Sequence, residues 1–560
     1  MSREDFQVQV KDKKYWLPGL PKNLYYPQVP LFTLLETSAR YYPQKTAVNY
    51  YGNEMTYSEL FACVEKMAAS LAKKGVKKGD RVALFMQNSP HFIISYYGIM
   101  KANAVVVPLN PMLVEEELFY LLQDSGSDVV ITTADLAGRV INVKKKLPIK
   151  EVIVGSYSDY LPKEPTLPVP AFMQALSQEL PAGVTPWHEV MKETSPPPLQ
   201  DTGYNDLCLL PYTSGSTGDP KGCMHTHATV MSNLISAYHW VSLTASCVCL
   251  AVLPFFHVTG LIHNMMAPLY AGATVMLMTR WDRQTALEAI EKYRCTHWIN
   301  ISTMVVDILS APDIMQRDLS SLLSIGGGGA PLPAAIGEKL EQIAGLKYIE
   351  GYGLTETISQ THKNPPPRPK RQCLGIPDFG VDARIIDMET GREVPQGKEG
   401  ELIIDGPEVF IGYWNKPEET EKAFMQLDGR TYFRTGDVCY MDEEGYYFLV
   451  DRTKRMINAA GFKVWPAEVE NHLYRHPDIL EACVVGVPDP KRGEEVRAYV
   501  VLKEQTEGRV KEEEIITWCK EQMSAYKYPR QIRFIEALPK SGTGKIQWRT
   551  LQETARKEFE

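Results

Sequence analysis

The sequence predicts an α/β protein with a large N-terminal domain of βαβ sheets and a small α+β domain at the C-terminus. Three observations support this prediction. The chain has 560 residues, too many for one ordinary hydrophobic core. Its first third alternates short β-branched runs with amphipathic stretches, as parallel sheets joined by helices do. A charged run at 451–455 then precedes a C-terminal stretch that has its own strands and helix.

The elements of the first third follow from local patterns. Thr56, with Glu59 three residues later, is typical of a helix N-cap, and apolar residues then recur at helical spacing as far as Gly75. Three apolar, β-branched runs predict buried strands. They are RVALFM at 81–86, AVVVPLN at 104–110 and DVVITT at 128–133.

Two longer segments are defined by their composition. The proline-rich stretch at 162–198 has weak periodicity, which favours a plain surface connector. The stretch at 222–279 contains no Asp, Glu, Lys or Arg, yet prolines, histidines and a glycine interrupt its apolar residues. Because a membrane-spanning helix needs about 20 uninterrupted apolar residues, this stretch predicts the buried core of a domain, where an apolar ligand could also bind.

Composition also limits the class of protein. The chain is 44% hydrophobic and 23% charged with a net charge of -8, whereas a nucleic-acid binder usually carries a strong basic excess. Its ten cysteines form no C-x-x-C pair, as expected of free thiols in a reducing compartment. The first residues are charged and lack an apolar signal region. We therefore expect a cytoplasmic protein without a transmembrane segment, and leave peripheral membrane contact and the oligomeric state open.

The C-terminal part has the elements of a small domain of its own. EACVVGV at 481–487 and RAYVVLK at 497–503 predict strands, and 511–523 predicts a helix. We therefore predict a large domain at 1–450, a hinge at 451–455 and a small domain at 456–560.

The stretch YTSGSTGDPKG at 212–222 is suited to a polyphosphate. Its three glycines and one proline exclude a regular helix or strand, while four Ser and Thr hydroxyls and free backbone N–H groups match phosphate oxygens. The lysine spacing does not match the Walker A pattern, and neither does PKSGTGKI at 539–546. The candidate ligand is a nucleotide bound by a different kind of phosphate loop.

Seven motifs in order are more specific than any one of them. They are YTSGSTGDPKG at 212–222, LPFFHVTG at 253–260, SIGGGGAPL at 324–332, GYGLTE at 351–356, YFRTGD at 432–437, DRTKRMINAAGFKVWPAEVE at 451–470 and PKSGTGKI at 539–546. Over nearly the whole chain this order resembles the adenylate-forming superfamily of acyl-CoA synthetases, peptide-synthetase adenylation domains and beetle luciferases, and fatty acyl-CoA synthetases in particular. The resemblance implies a large AMP-binding domain and a small mobile C-terminal domain.

The resemblance also implies ATP and coenzyme A as substrates and assigns residues to them. Tyr352 would present its ring to adenine, and Thr355 its hydroxyl to the α-phosphate. Asp437 would accept hydrogen bonds from the ribose, and Arg452 would bridge ribose and α-phosphate. The implied nucleotide and coenzyme A residues are Thr213, Ser214, Gly215, Ser216, Thr217, Gly218, Lys221, Gly328, Gly351, Tyr352, Thr355, Asp437, Arg452, Gly461, Phe462 and Lys463.

The catalytic residues that the resemblance implies are Lys545, His257, Thr355 and Glu356. Glu356 offers hard oxygen atoms, which suit Mg²⁺. Lys545 would neutralise charge while the adenylate forms. A rotation about Lys454 in the hinge would then bring the loop at 461–463 to the path of the coenzyme A thiol.

The implied acid-binding residues are Phe256, His257, Val258, Gly260 and Gly327. Amino-acid adenylation domains carry Asp just after the Phe of this segment, and here His257 stands there, which argues against an amino acid. An ATP-dependent ligase that joins an apolar, medium- or long-chain fatty acid to coenzyme A is the first hypothesis. Adenylation of an aryl acid, loading of a carrier protein and a nucleotide-binding protein without turnover are the alternatives. His225 and His227 have no third metal ligand nearby and are interpreted as structural.

Overall fold

Contacts divide the chain into two units. The first comprises Met1–Asp382 and Asp405–Phe433, and the second Ala383–Ile404 and Arg434–Glu560. The second unit thus also includes segments N-terminal to 450, whereas the predicted hinge at 451–455 stays a prediction because Lys454 lies outside the described residues. The computed structural model describes residues 16–17, 19–174, 180–213, 220–329, 331–452, 455–459, 462–489, 493–503, 506, 509–540 and 546–558.

Two large sheets make up the first unit. Within the described residues, the nine-stranded sheet has the order β16-β15-β14-β13-β12-β10-β11-β1-β2, and the seven-stranded sheet the order β7-β6-β5-β3-β4-β8-β9. The strands are β1 (Thr46–Tyr50), β2 (Asn53–Thr56), β3 (Arg81–Phe85), β4 (Val105–Leu109), β5 (Val129–Thr133), β6 (Glu151–Gly155), β7 (Thr185–Pro186), β8 (Leu207–Leu209), β9 (His225–Thr226), β10 (Val248–Ala251), β11 (Thr274–Leu277), β12 (His297–Asn300), β13 (Ser324–Gly328), β14 (Ile349–Gly353), β15 (Gln360–Lys363) and β16 (Ile376–Pro377). The inner strands are parallel and the antiparallel pairs lie at the edges, so the predicted βαβ organisation is confirmed.

Helices connect these strands. They are α1 (Phe32–Tyr41), α2 (Tyr57–Lys73), α3 (Pro90–Lys101), α4 (Glu115–Ser125), α5 (Ala134–Lys144), α6 (Ala171–Gln174), α7 (Trp187–Val190), α8 (His227–Trp240), α9 (Ala267–Tyr270), α10 (Arg283–Tyr293), α11 (Ser302–Leu309), α12 (Ala334–Ala344) and α13 (Pro417–Ala423). The 3₁₀-helices are Tyr157–Asp159, Ile314–Gln316 and Thr355–Thr357, and Gly260–Met266 is a π-helix. None of the helices in the described part is both long and apolar enough to cross a membrane.

Local sequence explains how α2 and the seven-stranded sheet form. The predicted cap is present, because Thr56 Oγ1 accepts the Glu59 N–H at 3.2 Å and Glu59 Oε2 accepts the Thr56 N–H at 2.8 Å. In β3, Val82 and Leu84 face one hydrophobic cluster, while Ala83 and Phe85 face another. Both faces of this sheet are therefore covered, as the continuous apolar runs predict.

Of the two predictions made from composition, one is confirmed and the other is wrong. The charge-free stretch at 222–279 forms α8, β10, the π-helix, α9 and β11, and it supplies much of the large core, as predicted. The proline-rich stretch does more than connect, because β7 extends the sheet next to β6. Trp187 in α7 is also buried and packs on the His91 ring at 4.6 Å. The plain-connector prediction is wrong because isolated pairings of this kind leave no periodic signal.

The remaining elements begin at residue 382, and most of them lie in the second unit. The strands from residue 382 onward are β17 (Asp382–Ile386), β18 (Gly400–Asp405), β19 (Phe424–Leu427), β20 (Arg430–Met441), β21 (Tyr447–Arg452), β22 (Ile457–Ala459), β23 (Phe462–Val464), β24 (Ile479–Asp489), β25 (Gly493–Leu502) and β26 (Gln531–Phe534), and the helices are α14 (Pro466–Leu473), α15 (Glu512–Gln522) and α16 (Trp548–Lys557). Of these, β19 and the start of β20 belong to the first unit. The predicted strands at 481–487 and 497–503 and the helix at 511–523 are confirmed.

Candidate active site

The glycine-rich loop emerges from a short antiparallel stem that follows β8. Tyr212 and Gly222 form a β-bridge. The Thr213 N–H donates to the Lys221 carbonyl at 3.0 Å, and the Lys221 N–H donates to Thr213 Oγ1 at 3.3 Å. The predicted phosphate-binding residues Ser214, Gly215, Ser216, Thr217 and Gly218 lie outside the described residues.

Lys221 lies in a charged network that the motifs did not predict. Its ammonium pairs with Glu419 of α13 and lies 5.0 Å from the centre of the Tyr413 ring. The Tyr413 hydroxyl donates to Glu356 Oε1 at 2.8 Å. Burial and the Glu356 charge raise the pKa of Tyr413 above its ordinary value, so the hydroxyl keeps its proton and remains a donor. The predicted lysine and the predicted metal ligand are therefore linked through one tyrosine.

The GYGLTE motif forms the end of β14 and the turn into β15. Thr355 and Glu356 lie in the 3₁₀-helix of this turn. Gly353 is required, because a Cβ there would lie 1.7 Å from the Ser359 carbonyl oxygen. Ile358 ends the turn at φ 55°, a left-handed conformation that strains a β-branched residue. The turn is thus closely fixed where it carries two of the predicted catalytic residues.

Two histidines hold the GYGLTE motif in place, one by a ring contact and one by a hydrogen bond. Tyr352 is opposite His362 in the antiparallel register of β14 and β15, and their rings meet edge to face at 5.9 Å. His225 Nε2 donates to the Thr355 carbonyl at 2.8 Å. Burial lowers the pKa of His225 to about 4, so this histidine is neutral near pH 7 and acts as a fixed donor.

The candidate metal ligands near this turn are His225, His227 and Glu356. His227, like His225, has a structural contact, since its Nδ1 accepts the Leu31 N–H at 3.1 Å. The described residues contain no group of three or more His, Cys, Asp or Glu that could hold a metal ion. A single carboxylate such as Glu356 still fits Mg²⁺, because Mg²⁺ is usually bound by one or two protein carboxylates together with substrate phosphates and water.

Two buried amide side chains hold the turn that leads to His257. Asn88, which follows β3, donates from Nδ2 to the Leu253 carbonyl at 2.9 Å and accepts the Phe255 N–H at 2.8 Å. Asn264 Oδ1 accepts the Leu253 N–H at 3.2 Å. Asn264 belongs to the π-helix, a rare form that occurs frequently at functional sites. The turn is therefore fixed from both sides.

His257 lies half-buried at the end of this turn. Its Nδ1 accepts the Thr259 N–H at 3.3 Å, so the neutral imidazole carries its proton on Nε2. An Nε2–H group is a suitable donor to a carboxylate oxygen. Of the neighbouring residues predicted to bind the acid, Phe256 is half-buried and Val258 packs into the core.

Several predicted site glycines are explained by close backbone packing. A Cβ at Gly260 would lie 2.2 Å from the Pro254 carbonyl oxygen, and a Cβ at Gly327 would lie 1.9 Å from that of Asn300. Gly328 is similarly close to the Gly351 carbonyl, at 2.5 Å. These contacts account for the glycines without a ligand, so their assignment to acid or nucleotide stays a prediction. A bulky residue at Gly260 would displace the turn.

In the second unit, Asp437 and Arg452 are cross-strand partners. The ladder between β20 and β21 places them opposite each other, and Arg452 Nε lies 3.0 Å from Asp437 Oδ1. The Asp437 side chain is only 1% exposed, whereas that of Arg452 is 45% exposed. Asp437 and Arg452, which the motifs assigned separately to one ribose, therefore form an ion pair.

Other predicted residues of the second unit lie outside the described part of the chain. They are Lys454, Gly461 and Lys545. Phe462 and Lys463 belong to β23, whose backbone pairs with β22.

The first unit also buries carboxyl groups with unusual pKa values. Burial, with a smaller contribution from Asp378, raises the pKa of Glu408 to about 8. Asp378 itself pairs with the buried Lys363 at 2.7 Å. Burial raises the pKa of Glu350 to about 7, although the Gln372 N–H donates to it at 3.1 Å. Both carboxyl groups therefore hold a proton more tightly in the folded chain than an exposed glutamate does.

The chain combines a two-sheet α/β unit, a hydroxyl-rich loop with a lysine, and a separate C-terminal unit. This combination defines the class of AMP-binding enzymes. The family model described as "AMP-binding enzyme" matches residues 35–414, and "AMP-binding enzyme C-terminal domain" matches residues 468–545. The chain belongs to the AMP-binding enzyme family. This confirms the predicted superfamily, and with it an AMP-forming acid–thiol ligase that uses ATP, Mg²⁺ and coenzyme A.

Relatives of this chain include several coenzyme A ligases. It is 36% identical over 558 residues to a long-chain-fatty-acid–CoA ligase of Bacillus subtilis (strain 168), covering 97% of this chain and 98% of the relative. It is 35% identical over 514 residues to a feruloyl-CoA synthase of Amycolatopsis sp, covering 91% and 95%. The crystal structure of ATP-bound MatB from Rhodopseudomonas palustris is similar with a TM-score of 0.84 and 27% identity, covering 95% of this chain and 100% of that one.

Sequence reasoning missed Tyr413, Glu419 and Asn88. Tyr413 and Glu419 lie in the stretch GYWNKPEETEKAF at 412–424, where the Tyr–Trp pair and the acidic helix start are visible but point to no partner. Asn88 follows a buried strand at the carboxyl edge of the sheet, where ligands and polar side chains tend to gather in α/β proteins. That position is the one signal that could have identified it.

Proposed function

We propose that this ligase activates an uncharged acid with an apolar tail, in particular a medium- or long-chain fatty acid. The observation that carries the proposal is the buried segment at 222–279, which has no Asp, Glu, Lys or Arg and places the imidazole of His257 at a fixed turn. A second ionic group on the substrate would find no partner there. The Bacillus subtilis relative, named as a long-chain-fatty-acid–CoA ligase, supports the same substrate class.

In the first half-reaction, a carboxylate oxygen of the acid attacks the α-phosphorus of ATP, the bond to pyrophosphate breaks, and an acyl adenylate forms. His257 Nε2–H orients the acid. The Thr355 hydroxyl donates a hydrogen bond to the α-phosphate. Lys221 and the loop hydroxyls bind the outer phosphates. Lys545 neutralises the charge that develops, as preorganised electrostatic groups do.

Other residues bind the remaining parts of ATP. Asp437 accepts hydrogen bonds from the ribose hydroxyls, Arg452 contacts the ribose and α-phosphate, and the Tyr352 ring faces the adenine. Glu356 would hold Mg²⁺, which when bound neutralises phosphate charge.

In the second half-reaction, the thiol of coenzyme A attacks the acyl carbon, AMP leaves with the electron pair of the broken bond, and the thiol proton passes to solvent. Gly461 gives the thiol room, beside Phe462 and Lys463. Lys454 is the hinge between a conformation for each half-reaction.

A panel of acids supplied with ATP and coenzyme A tests this proposal. Consumption of coenzyme A should be fastest with unbranched fatty acids and should rise with chain length until the pocket ends, since each buried CH₂ adds about 0.8 kcal/mol. Pyrophosphate release without consumption of coenzyme A would indicate an enzyme that makes only the adenylate or loads a carrier protein. Absence of pyrophosphate release with every acid would contradict the proposal.

An aryl acid is the second candidate substrate. The observation that favours it is the 35% identity to a protein named feruloyl-CoA synthase. Cinnamic-type acids belong in the same panel, and a kcat/KM for them above that for every fatty acid would reassign the substrate.

The location we propose is the cytoplasm. All ten cysteines are free thiols, as a reducing compartment requires. Cell fractionation of the tagged protein checks this, and recovery in a membrane fraction that salt releases would indicate peripheral membrane contact.

A further inference from the structure

Tyr413 contacts two groups of opposite charge, the Lys221 ammonium and the Glu356 carboxylate. The proposed function assigns the first to the ATP phosphates and the second to their Mg²⁺. The Tyr413 ring lies beneath the Lys221 ammonium, with 5.0 Å between the nitrogen and the ring centre. Its hydroxyl is 2.8 Å from Glu356 Oε1. A cation over an aromatic face and a hydroxyl on a carboxylate are both directional contacts. The tyrosine therefore restricts where the two charges lie relative to each other.

The backbone around Tyr413 is fixed at both ends. The Phe410 N–H donates to the Glu356 carbonyl at 2.8 Å, and the Trp414 N–H donates to the Gly222 carbonyl at 2.8 Å. A β-bridge between Tyr413 and Cys223 lies between these contacts. The segment at 410–414 thus connects the turn of the GYGLTE motif with the exit of the glycine-rich loop.

Helix α13 supplies a further contact on each side of this arrangement. The Tyr413 N–H donates to Thr420 Oγ1 at 2.9 Å, and Glu419 pairs with the Lys221 ammonium. The Glu419 side chain is 40% exposed and that of Lys221 is 21% exposed, so this ion pair is reachable from solvent. The Tyr413 hydroxyl, by contrast, points to Glu356 and leaves the lysine accessible.

We propose that Tyr413 is a positioning residue that sets Lys221 and Glu356 at the spacing at which ATP and its Mg²⁺ bind. This rests on the proposed function, in which Lys221 binds the outer phosphates and Glu356 holds the metal. Tyr413 acts through its hydroxyl on Glu356 and through its ring on Lys221. The two effects are separable, because phenylalanine keeps the ring and removes the hydroxyl.

The first experiment is a double-mutant cycle between Tyr413→Phe and Glu356→Ala, read by calorimetric binding of ATP to the full chain. Tyr413→Phe should weaken binding of ATP roughly tenfold when Mg²⁺ is present, since a hydrogen bond to a charged group is lost. Without Mg²⁺, and in the Glu356→Ala background, the same substitution should change binding less than twofold. Equal losses under all these conditions, or no loss at all, would overturn the proposal.

The second arm addresses the ring. Tyr413→Leu should weaken binding of ATP further than Tyr413→Phe does, and this extra loss should disappear in the Lys221→Met background. An extra loss that persists with Lys221→Met would show that the ring acts on something other than the lysine.

Two controls separate positioning from general damage. Tyr57→Phe removes another buried hydroxyl, which donates to the Ala273 carbonyl at 2.6 Å and contacts neither Lys221 nor Glu356, and should leave binding of ATP unchanged. Thermal unfolding of each variant checks that the fold is intact. Wild-type consumption of coenzyme A tests the proposed function independently, so failure of the function and failure of the coupling give different results.

Discussion

The charged residues predicted for the site are held in different ways in the two units. In the second unit, Asp437 and Arg452 meet because neighbouring strands place them opposite each other. In the first unit, contacts join residues far apart in sequence: Glu356 and Tyr413 are separated by 57 positions, Lys221 and Glu419 by 198. A point mutation leaves a backbone ladder in place but removes a member of a side-chain network. Effects of substituting these site residues should therefore stay local in the second unit and spread in the first.

The largest expected effect is that of Lys545→Ala in the second unit. Formation of the adenylate should slow by ~10²- to 10³-fold, the range for loss of one preorganised stabilising group. Transfer of the acyl group from preformed acyl adenylate to coenzyme A should stay near the wild-type rate. Rapid-quench measurement of both half-reactions checks this, and equal slowing of the two would contradict a lysine that serves one step.

Asp437→Ala should weaken binding of ATP by ~10- to 10²-fold, because hydrogen bonds to a charged group contribute about 1.5 to 3 kcal/mol. The KM for the acid should change little if the effect is local. Calorimetry with ATP and steady-state kinetics with the acid measure the two quantities. Glu401→Gln is a matched control, since Glu401 is another buried carboxylate of the second unit paired with an arginine, Arg434. It should lower thermal stability without a similar loss of ATP affinity.

Asn88→Ala tests whether effects spread within the first unit. The substitution leaves the Leu253 carbonyl and the Phe255 N–H without their partner and should loosen the turn that positions His257. We expect the KM for the acid to rise roughly tenfold while ATP affinity is unchanged, since an unsatisfied buried group costs about 1 to 3 kcal/mol. Asn49→Ala, which removes a buried amide from the β1–β2 hairpin, is the control. Similar kinetics for both variants would argue against a role of Asn88 in positioning.

Glu408→Gln should have the smallest effect, a change in how stability depends on pH. The pKa of Glu408 is raised from 4.5 to about 8 in the folded state. The stability that the protonated carboxyl contributes is therefore fully present below about pH 4.5 and is lost as the pH rises through 8. Glutamine mimics the protonated form, so the variant should lose less stability than wild type between pH 5 and pH 9. Thermal unfolding across this range measures the difference, and parallel curves would show that Glu408 does not titrate there.

Local patterns were sufficient for much of the fold. The cap at Thr56, the strands of the first third and the buried charge-free stretch are all visible as patterns of neighbouring residues in the sequence. The family follows from the order of motifs, and the relatives confirm it.

The missed features depend on contacts between distant segments. Nothing near Tyr413 in the sequence shows that its hydroxyl reaches Glu356. The pairing of β7 with β6 is similarly invisible in a stretch without periodicity. Gly260 matched a motif, but only the carbonyl of Pro254, close to its missing Cβ, shows why glycine is required. The predicted roles of Lys454, Gly461 and Lys545 stay predictions, because these residues lie outside the described part of the chain.

The left-handed Ile358 limits what directed evolution can gain at the GYGLTE turn. Holding a β-branched residue at φ 55° costs roughly 1 to 2 kcal/mol, and glycine would adopt this conformation freely. The Ile358 side chain is fully buried, however, so a glycine there would leave a cavity that costs about 2 to 5 kcal/mol. The two terms oppose each other, and the cavity is the larger. A library selected for resistance to heat will therefore keep isoleucine at this position and accumulate its improvements elsewhere.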